Sequence, residues 1–290
     1  MSLNLRIEGH FDQKWSDWFE GLEMNRIKQL ATESPVGFGF VTTLVFIVIV
    51  FISAVVANRW SAESSGWYSG ATLARVISIA ILLAVIARLG WLRAAGFTRP
   101  GRGITWLITL MLLAYSIAAS AYALTGNFDY HFSGPAPFSL VALFFMVHAF
   151  LEEVVFRGLI LHAFVRSLGS TPRGLTRTVL ISSLFFMSMH ILNFLGGNPL
   201  PVVLLQMVGA FFLGIFLSAL VLNGRSIYPA AFFHGLANMA AFLNLMANSS
   251  DGTNPSAWLW QSLLLVPLAI IGITILRRSS KPVLAVVVAS

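Results

Sequence analysis

The stretch Phe150-Leu151-Glu152-Glu153-Val154-Val155-Phe156-Arg157-Gly158 sets two adjacent carboxylates and a guanidinium inside an apolar run from about Phe138 to Phe164, which holds no other charged residue. A run of that length suits a helix crossing a bilayer. One charge near the bilayer centre costs ~3 kcal/mol on insertion scales, so three within two turns need compensation. On a helix, Glu153 and Arg157 lie four residues apart on one face and can pair. Glu152 lies about 100° further round and needs another partner or a water-filled cavity. The groups that can meet it are His190, His234 and Asn238.

The rest of the chain shares this apolar character. Of its 290 residues 57% are hydrophobic and only 10% charged, with a mean hydropathy of +0.83; a soluble domain carries about 25% charged residues. The expected fold is an all-α, polytopic membrane bundle of about eight transmembrane helices, near 38–58, 71–92, 104–124, 138–165, 178–195, 200–222, 227–247 and 258–276. Three parts follow: an N-terminal cytoplasmic or interfacial segment 1–37, a membrane domain 38–276 with a catalytic core at 138–245, and a cytoplasmic tail 277–290. From Asp12 to Leu30, apolar residues recur at helical spacing among charged ones, the pattern of an interfacial amphipathic helix rather than a cleavable signal peptide. Arg75 and Arg88 sit near the ends of the second segment, where they are expected to snorkel. Trp258 and Trp260 read as interface anchors, and Gly209 and Gly214 as points of close helix contact.

Charge and cysteine content exclude several classes. The net charge of +7 reads as loop charge in a membrane protein, not as a nucleic-acid surface. With no cysteine, disulfides, thiolate nucleophiles and Cys-ligated metals are excluded. After the second segment basic residues alternate between loops: Arg93, Arg99 and Arg102, then Arg166, Arg173 and Arg177, then Arg225, then Arg277, Arg278 and Lys281, whereas loops 125–137, 196–199 and 248–257 carry none; Arg59 and Arg75 flank the one exception, between the first two segments. The positive-inside rule therefore places both termini in the cytoplasm of a multi-pass cell-membrane protein.

Three segments carry pairs at four-residue spacing, each on one helix face: His148 and Glu152, the aromatic Phe186 and His190, and His234 and Asn238. Counting ~1.5 Å per residue from the cytoplasmic ends, Glu152 lies about 21 Å deep, His190 and Asn238 about 18 Å and His234 about 12 Å. A polar site converging from three segments is a functional hypothesis by default. A carboxylate with a histidine beside it can deprotonate and orient a water, and a second histidine with an amide can donate to an oxyanion. That is the equipment of a hydrolase for an acyl or peptide bond. Two other readings stay open at this point. His190, His234 and Glu152, with His148, have the ligand types of a zinc site. Alternatively, the bundle is a non-catalytic immunity or scaffold protein. Taken singly, Phe186 and His148 read as packing residues, His162 as an interface residue, and Glu153 with Arg157 as a structural pair.

The succession Glu-Glu-x-x-x-Arg (Glu152, Glu153, Arg157), Phe-x-x-x-His (Phe186, His190) and His-x-x-x-Asn (His234, Asn238) resembles the CAAX prenyl endopeptidase and bacteriocin-processing family of membrane proteases. The resemblance covers roughly residues 138–245. It implies an intramembrane glutamate-dependent endopeptidase without a metal or other cofactor. In it Glu152 is the base, His190 its partner on the water, and His234 and Asn238 the oxyanion donors. Glu153, Arg157 and Phe186 support them. It also implies a membrane-associated peptide or protein substrate, prenylated or bacteriocin-like.

Reporter fusions test the topology. Fusions at positions 130, 198 and 252 are all expected to report the external side, and a cytoplasmic signal from any one breaks the alternation of loops.

Overall fold

A computed structural model describes residues 24–60, 63–124, 136–247 and 255–289. Eight long helices account for most of them: α1 (Pro35–Trp60), α2 (Ser64–Arg88), α3 (Gly103–Leu124), α4 (Phe138–Glu153), α5 (Pro172–Met189), α6 (Leu200–Gly224), α7 (Tyr228–Ala247) and α8 (Pro255–Ala289). The described residues contain no strand. Among the described residues, six helical stretches are long and apolar enough to cross a bilayer: Pro35–Trp60, Ser65–Arg88, Phe138–Leu168, Pro172–Leu195, Leu200–Gly224 and Trp258–Arg278. The all-helical, multi-pass fold expected from the sequence is therefore present, with six such spans where about eight were expected. The other two expected segments are helical as α3 and α7, whose side chains are described only to residues 114 and 241. Residues 24–33 are helical too; the start of the amphipathic stretch expected from Asp12 lies outside the described residues. At the other end the backbone of α8 stays helical through residue 289, past the expected end of the last span.

Local signals explain several helix ends. Thr171 caps α5 by accepting a hydrogen bond from Gly174 N at 3.0 Å, and Pro172 occupies the first turn, where its missing N–H costs nothing. This cap starts the helix six residues before the apolar run that marked it in the sequence. After α4 the helix does not stop. It widens into a π-helical stretch, Val154–Leu161, and returns to α-helix over His162–Leu168. The rod Phe138–Leu168 is thus continuous, and its wide turns fall on Arg157 and Gly158.

The core forms where α4 and its extension meet α1, α2, α5 and α6. Phe46, Phe156, Phe164, Phe186 and Phe216 are all fully buried. Phe156 meets Phe46 and Phe186 edge to face at 5.5 and 5.3 Å, the geometry favoured by aromatic quadrupoles. The outward face of α1 is apolar instead, with Phe40, Leu44 and Phe51 exposed, as a lipid-facing helix requires. Hydroxyls tie neighbouring helices to one another. Ser182 Oγ donates to Phe156 O at 3.2 Å, Thr178 Oγ1 to Phe164 O at 3.3 Å, and Ser262 Oγ to Leu205 O at 2.7 Å. Such interhelical bonds contribute about 0.6 kcal/mol each in a membrane bundle. The start of α7 is held by the loop after α2. Tyr228 Oη donates to Phe97 O at 2.8 Å and Ser226 Oγ to Arg99 O at 2.8 Å, which sets the register of His234.

Helices α5, α6 and α8 approach closely through small residues. A Cβ on Gly214 would lie 3.0 Å from Ser183 Cβ, and one on Gly272 would lie 2.9 Å from Phe216 Cα. The expected close contact at Gly214 is therefore present, and Gly209 faces Ser262 in the same manner. Because backbone lies against Gly272, Gly272→Leu forces α8 away from α6. The expected loss of stability is about 1–3 kcal/mol, measured as a lower melting midpoint in detergent.

Candidate functional site

Four polar side chains come from the one rod, in two pairs of four-residue spacing. In the lower pair, Arg157 Nη1 donates to Glu153 Oε1 at 2.9 Å. Both groups are buried, Glu153 completely. Arg157 also reaches Gly214 O with Nη2 at 3.4 Å, and its guanidinium lies 4.4 Å over the Phe186 ring. A carboxylate, a carbonyl and an aromatic face thus share the cation, which is how a charge is retained in an apolar interior. Glu153 Oε2 and Arg157 Nε make no hydrogen bond. The pairing expected from the sequence is present.

His234 on α7 joins the two adjacent carboxylates. Its Nδ1 lies 2.9 Å from Glu153 Oε1, and its Nε2 lies 3.3 Å from Glu152 Oε2. Glu153 Oε1 already accepts from Arg157, so His234 Nδ1 is the donor there. Nε2 then faces a carboxylate oxygen, and two lone pairs at that distance repel each other. A proton therefore lies between His234 and Glu152.

In the upper pair, His148 Nε2 lies 3.5 Å from Glu152 Oε1. His148 was expected to be a packing residue; it contacts Glu152 directly. Arg75 was expected to snorkel, and the structure corrects this also. It is buried, turned inward from α2, and donates from Nε to His148 Nδ1 at 3.2 Å. Inward compensation wins over snorkelling because Glu152 and His148 offer partners inside the bundle. The sequence signals for both were present, as an arginine within an apolar segment and a histidine one turn before a glutamate. Neither is specific without knowing which helix faces which.

His190 and Asn238 reach the same place by another route. His190 stands at the end of α5, and its Nδ1 lies 3.1 Å from Phe186 O. A carbonyl only accepts, so Nδ1 carries the proton and Nε2 is left as an acceptor. Neither His190 nor Asn238 bonds to Glu152. Both instead line a cavity of about 380 Å³ that Glu152, His148 and His234 also line. Phe186 is fully buried and packs edge-on against His190 at 5.2 Å and against His234 at 5.5 Å. It is the wall between the cavity and Arg157. Asn193, Gln206, Gln261 and Trp258 line the cavity too. Of the two tryptophans expected to anchor at the membrane interface, Trp258 lines the cavity and Trp260 is exposed. His162 belongs elsewhere, buried against Trp91 at 4.9 Å. Among the described residues no group of three His, Asp or Glu side chains is arranged to hold a metal ion.

Fold and site together define a multi-pass, all-helical membrane protein with a buried glutamate–histidine centre. Residues 134–240 match the family model described as type II CAAX prenyl endopeptidase Rce1-like. That stretch contains all three motifs, and the resemblance to the CAAX membrane proteases is borne out. The family is one of proteases. No curated protein and no solved structure matches the chain.

Glu153→Gln strands Arg157 in the apolar interior. Breaking a buried pair from one side costs about 3–5 kcal/mol, so this variant is expected to melt well below the wild type. The double variant Glu153→Gln, Arg157→Met is expected to recover part of the loss in the same melting assay.

Proposed function

We propose that the protein is a glutamate-dependent endopeptidase of the cell membrane, with both termini in the cytoplasm. It hydrolyses a peptide bond of a membrane-associated substrate, prenylated or bacteriocin-like. The observation that carries this reading is the meeting of Glu152, His190, His234 and Asn238 around one cavity within the stretch that matches the protease family.

Each group has a chemical role that its surroundings support. Glu152 accepts a proton from a water in the cavity as the water oxygen attacks the scissile carbonyl. His190, with Nδ1 occupied by Phe186 O, accepts the water's other hydrogen at Nε2 and orients it. His234 and Asn238, one turn apart on α7, donate to the oxyanion that forms. His234 does so with Nε2–H, which is released from Glu152 Oε2 once Glu152 has taken the water's proton. Glu152 then passes its proton to the amide nitrogen as the C–N bond breaks, leaving an amine and a carboxylic acid, whose remaining proton passes to His190 Nε2 and on to water. No hydroxyl or thiol nucleophile and no metal takes part. Glu153, Arg157 and Phe186 keep the two helices in register for this work.

Cleavage of a farnesylated C-terminal peptide by the purified protein in nanodiscs, followed by mass spectrometry, is the direct test. Glu152→Gln is expected to lower turnover at least ~100-fold, the contribution of a positioned base, without lowering the melting midpoint as Glu153→Gln does. Asn238→Ala is expected to cost about 100-fold, as for loss of one oxyanion donor. Full activity in Glu152→Gln would remove the base, and activity restored by zinc after chelation would replace this mechanism with a metal-dependent one.

A further inference from the structure

The contact between Arg75 and His148 is used by none of the steps above, yet it determines which hydrogen bonds Glu152 can make. Arg75 Nε donates to His148 Nδ1 at 3.2 Å, and Nη1 donates to Ala71 O at 3.0 Å on its own helix. The guanidinium lies 4.6 Å over Phe144, and Phe144 stacks nearly parallel to His148 at 5.9 Å and 16°. Arg75, the Phe144 ring and the His148 ring therefore hold one another in place across α2 and α4. A guanidinium has donors only. His148 Nδ1 must then carry its lone pair, and the imidazole is neutral with its one proton on Nε2. That nitrogen lies 3.5 Å from Glu152 Oε1.

We propose that Arg75 and His148 form a positioning relay for Glu152, in which Arg75 fixes the Nε2–H tautomer of His148 and His148 holds one carboxylate oxygen in place. Oε1 then faces His148 and Oε2 faces His234, so the carboxylate is clamped from both sides and presents a fixed edge to the cavity. A rotating carboxylate would meet the attacking water in the required geometry for only a fraction of the time. Positional errors of an ångström at such a group cost about 100-fold in rate. The relay rests on the reading of Glu152 as the base.

Nitrogen-15 NMR of histidine-labelled protein in nanodiscs reads the tautomer without an activity assay, with the His148 signals assigned by their loss in His148→Gln. The expected result is a neutral imidazole with bare Nδ1 and protonated Nε2. In Arg75→Met the Nδ1-protonated form should become populated. A wild-type His148 protonated at Nδ1, or a tautomer unmoved by Arg75→Met, overturns the relay. In the cleavage assay, His148→Phe and Arg75→Met should lower kcat 10- to 100-fold at unchanged KM. His148→Gln keeps a donor for Glu152 and should recover most of the rate. Equal kcat in His148→Phe and wild type overturns the positioning role even with the tautomer as expected, and this arm decides if Arg75→Met does not fold. A wild-type protein that cleaves no peptide sinks the peptidase reading alone, and the tautomer then decides the relay.

Discussion

A guanidinium buried in an apolar bundle is stable only while its partners stay in reach, and the pairing of Arg157 with Glu153 is the interaction on which the rest of this structure depends. Removing two charges from water costs several kcal/mol per ion. The molecule offsets that cost with groups from four elements. Glu153 comes from the same rod, Gly214 O from α6, the Phe186 ring from α5 and, through the shared oxygen of Glu153, His234 from α7. Each of these helices thus contributes a group to the ion pair as well as apolar surface to the core. The Gly214 contact shows the coupling. The lack of a side chain lets α6 approach α5 at Ser183, and the same residue's carbonyl meets Arg157.

From that anchor the polar groups run in one string, Arg75, His148, Glu152, His234, Glu153 and Arg157, with a cation at each end. Donors and acceptors alternate along it, so each charge has a neighbour of opposite sign or a hydrogen-bond partner. The arrangement lets Glu152 stay beside a cavity of about 380 Å³ rather than be enclosed like Glu153. The two glutamates are adjacent in the chain and chemically identical. Their difference is one of surroundings: Glu153 faces a guanidinium and an imidazole, and Glu152 faces two imidazoles and open volume. A group with volume beside it can meet a substrate; a fully enclosed one can only hold structure.

Much of this was legible in the sequence, and for identifiable reasons. Membrane insertion is a local property of about 20 residues, so hydropathy alone showed an all-helical, multi-pass chain. The pair Glu153 and Arg157 was legible because four-residue spacing on a single helix is local too. Arg75 was misread because its surroundings depend on which face of α2 meets α4. No spacing within one helix carries that information, and snorkelling was the only local alternative. The early start of α5 was missed for a different reason: Thr171 and Pro172 are the signal, but they precede the apolar run used to find the helix.

The sequence by itself determined that the chain is a helical membrane bundle, that charges occur deep in its fourth segment, and that carboxylate, imidazole and amide groups recur at helical spacing in the segments that follow. These depend on contacts within a few residues, or on transfer of a single helix into lipid. Only the tertiary structure decided which glutamate lies against His234 with which oxygen, that Arg75 turns inward to His148, and that His190 and Asn238 meet Glu152 across a cavity rather than by contact. Those relations join helices distant in the chain. They are set by packing of close-fitting surfaces such as Gly214 on Ser183 and Gly272 on Phe216, which no linear pattern specifies.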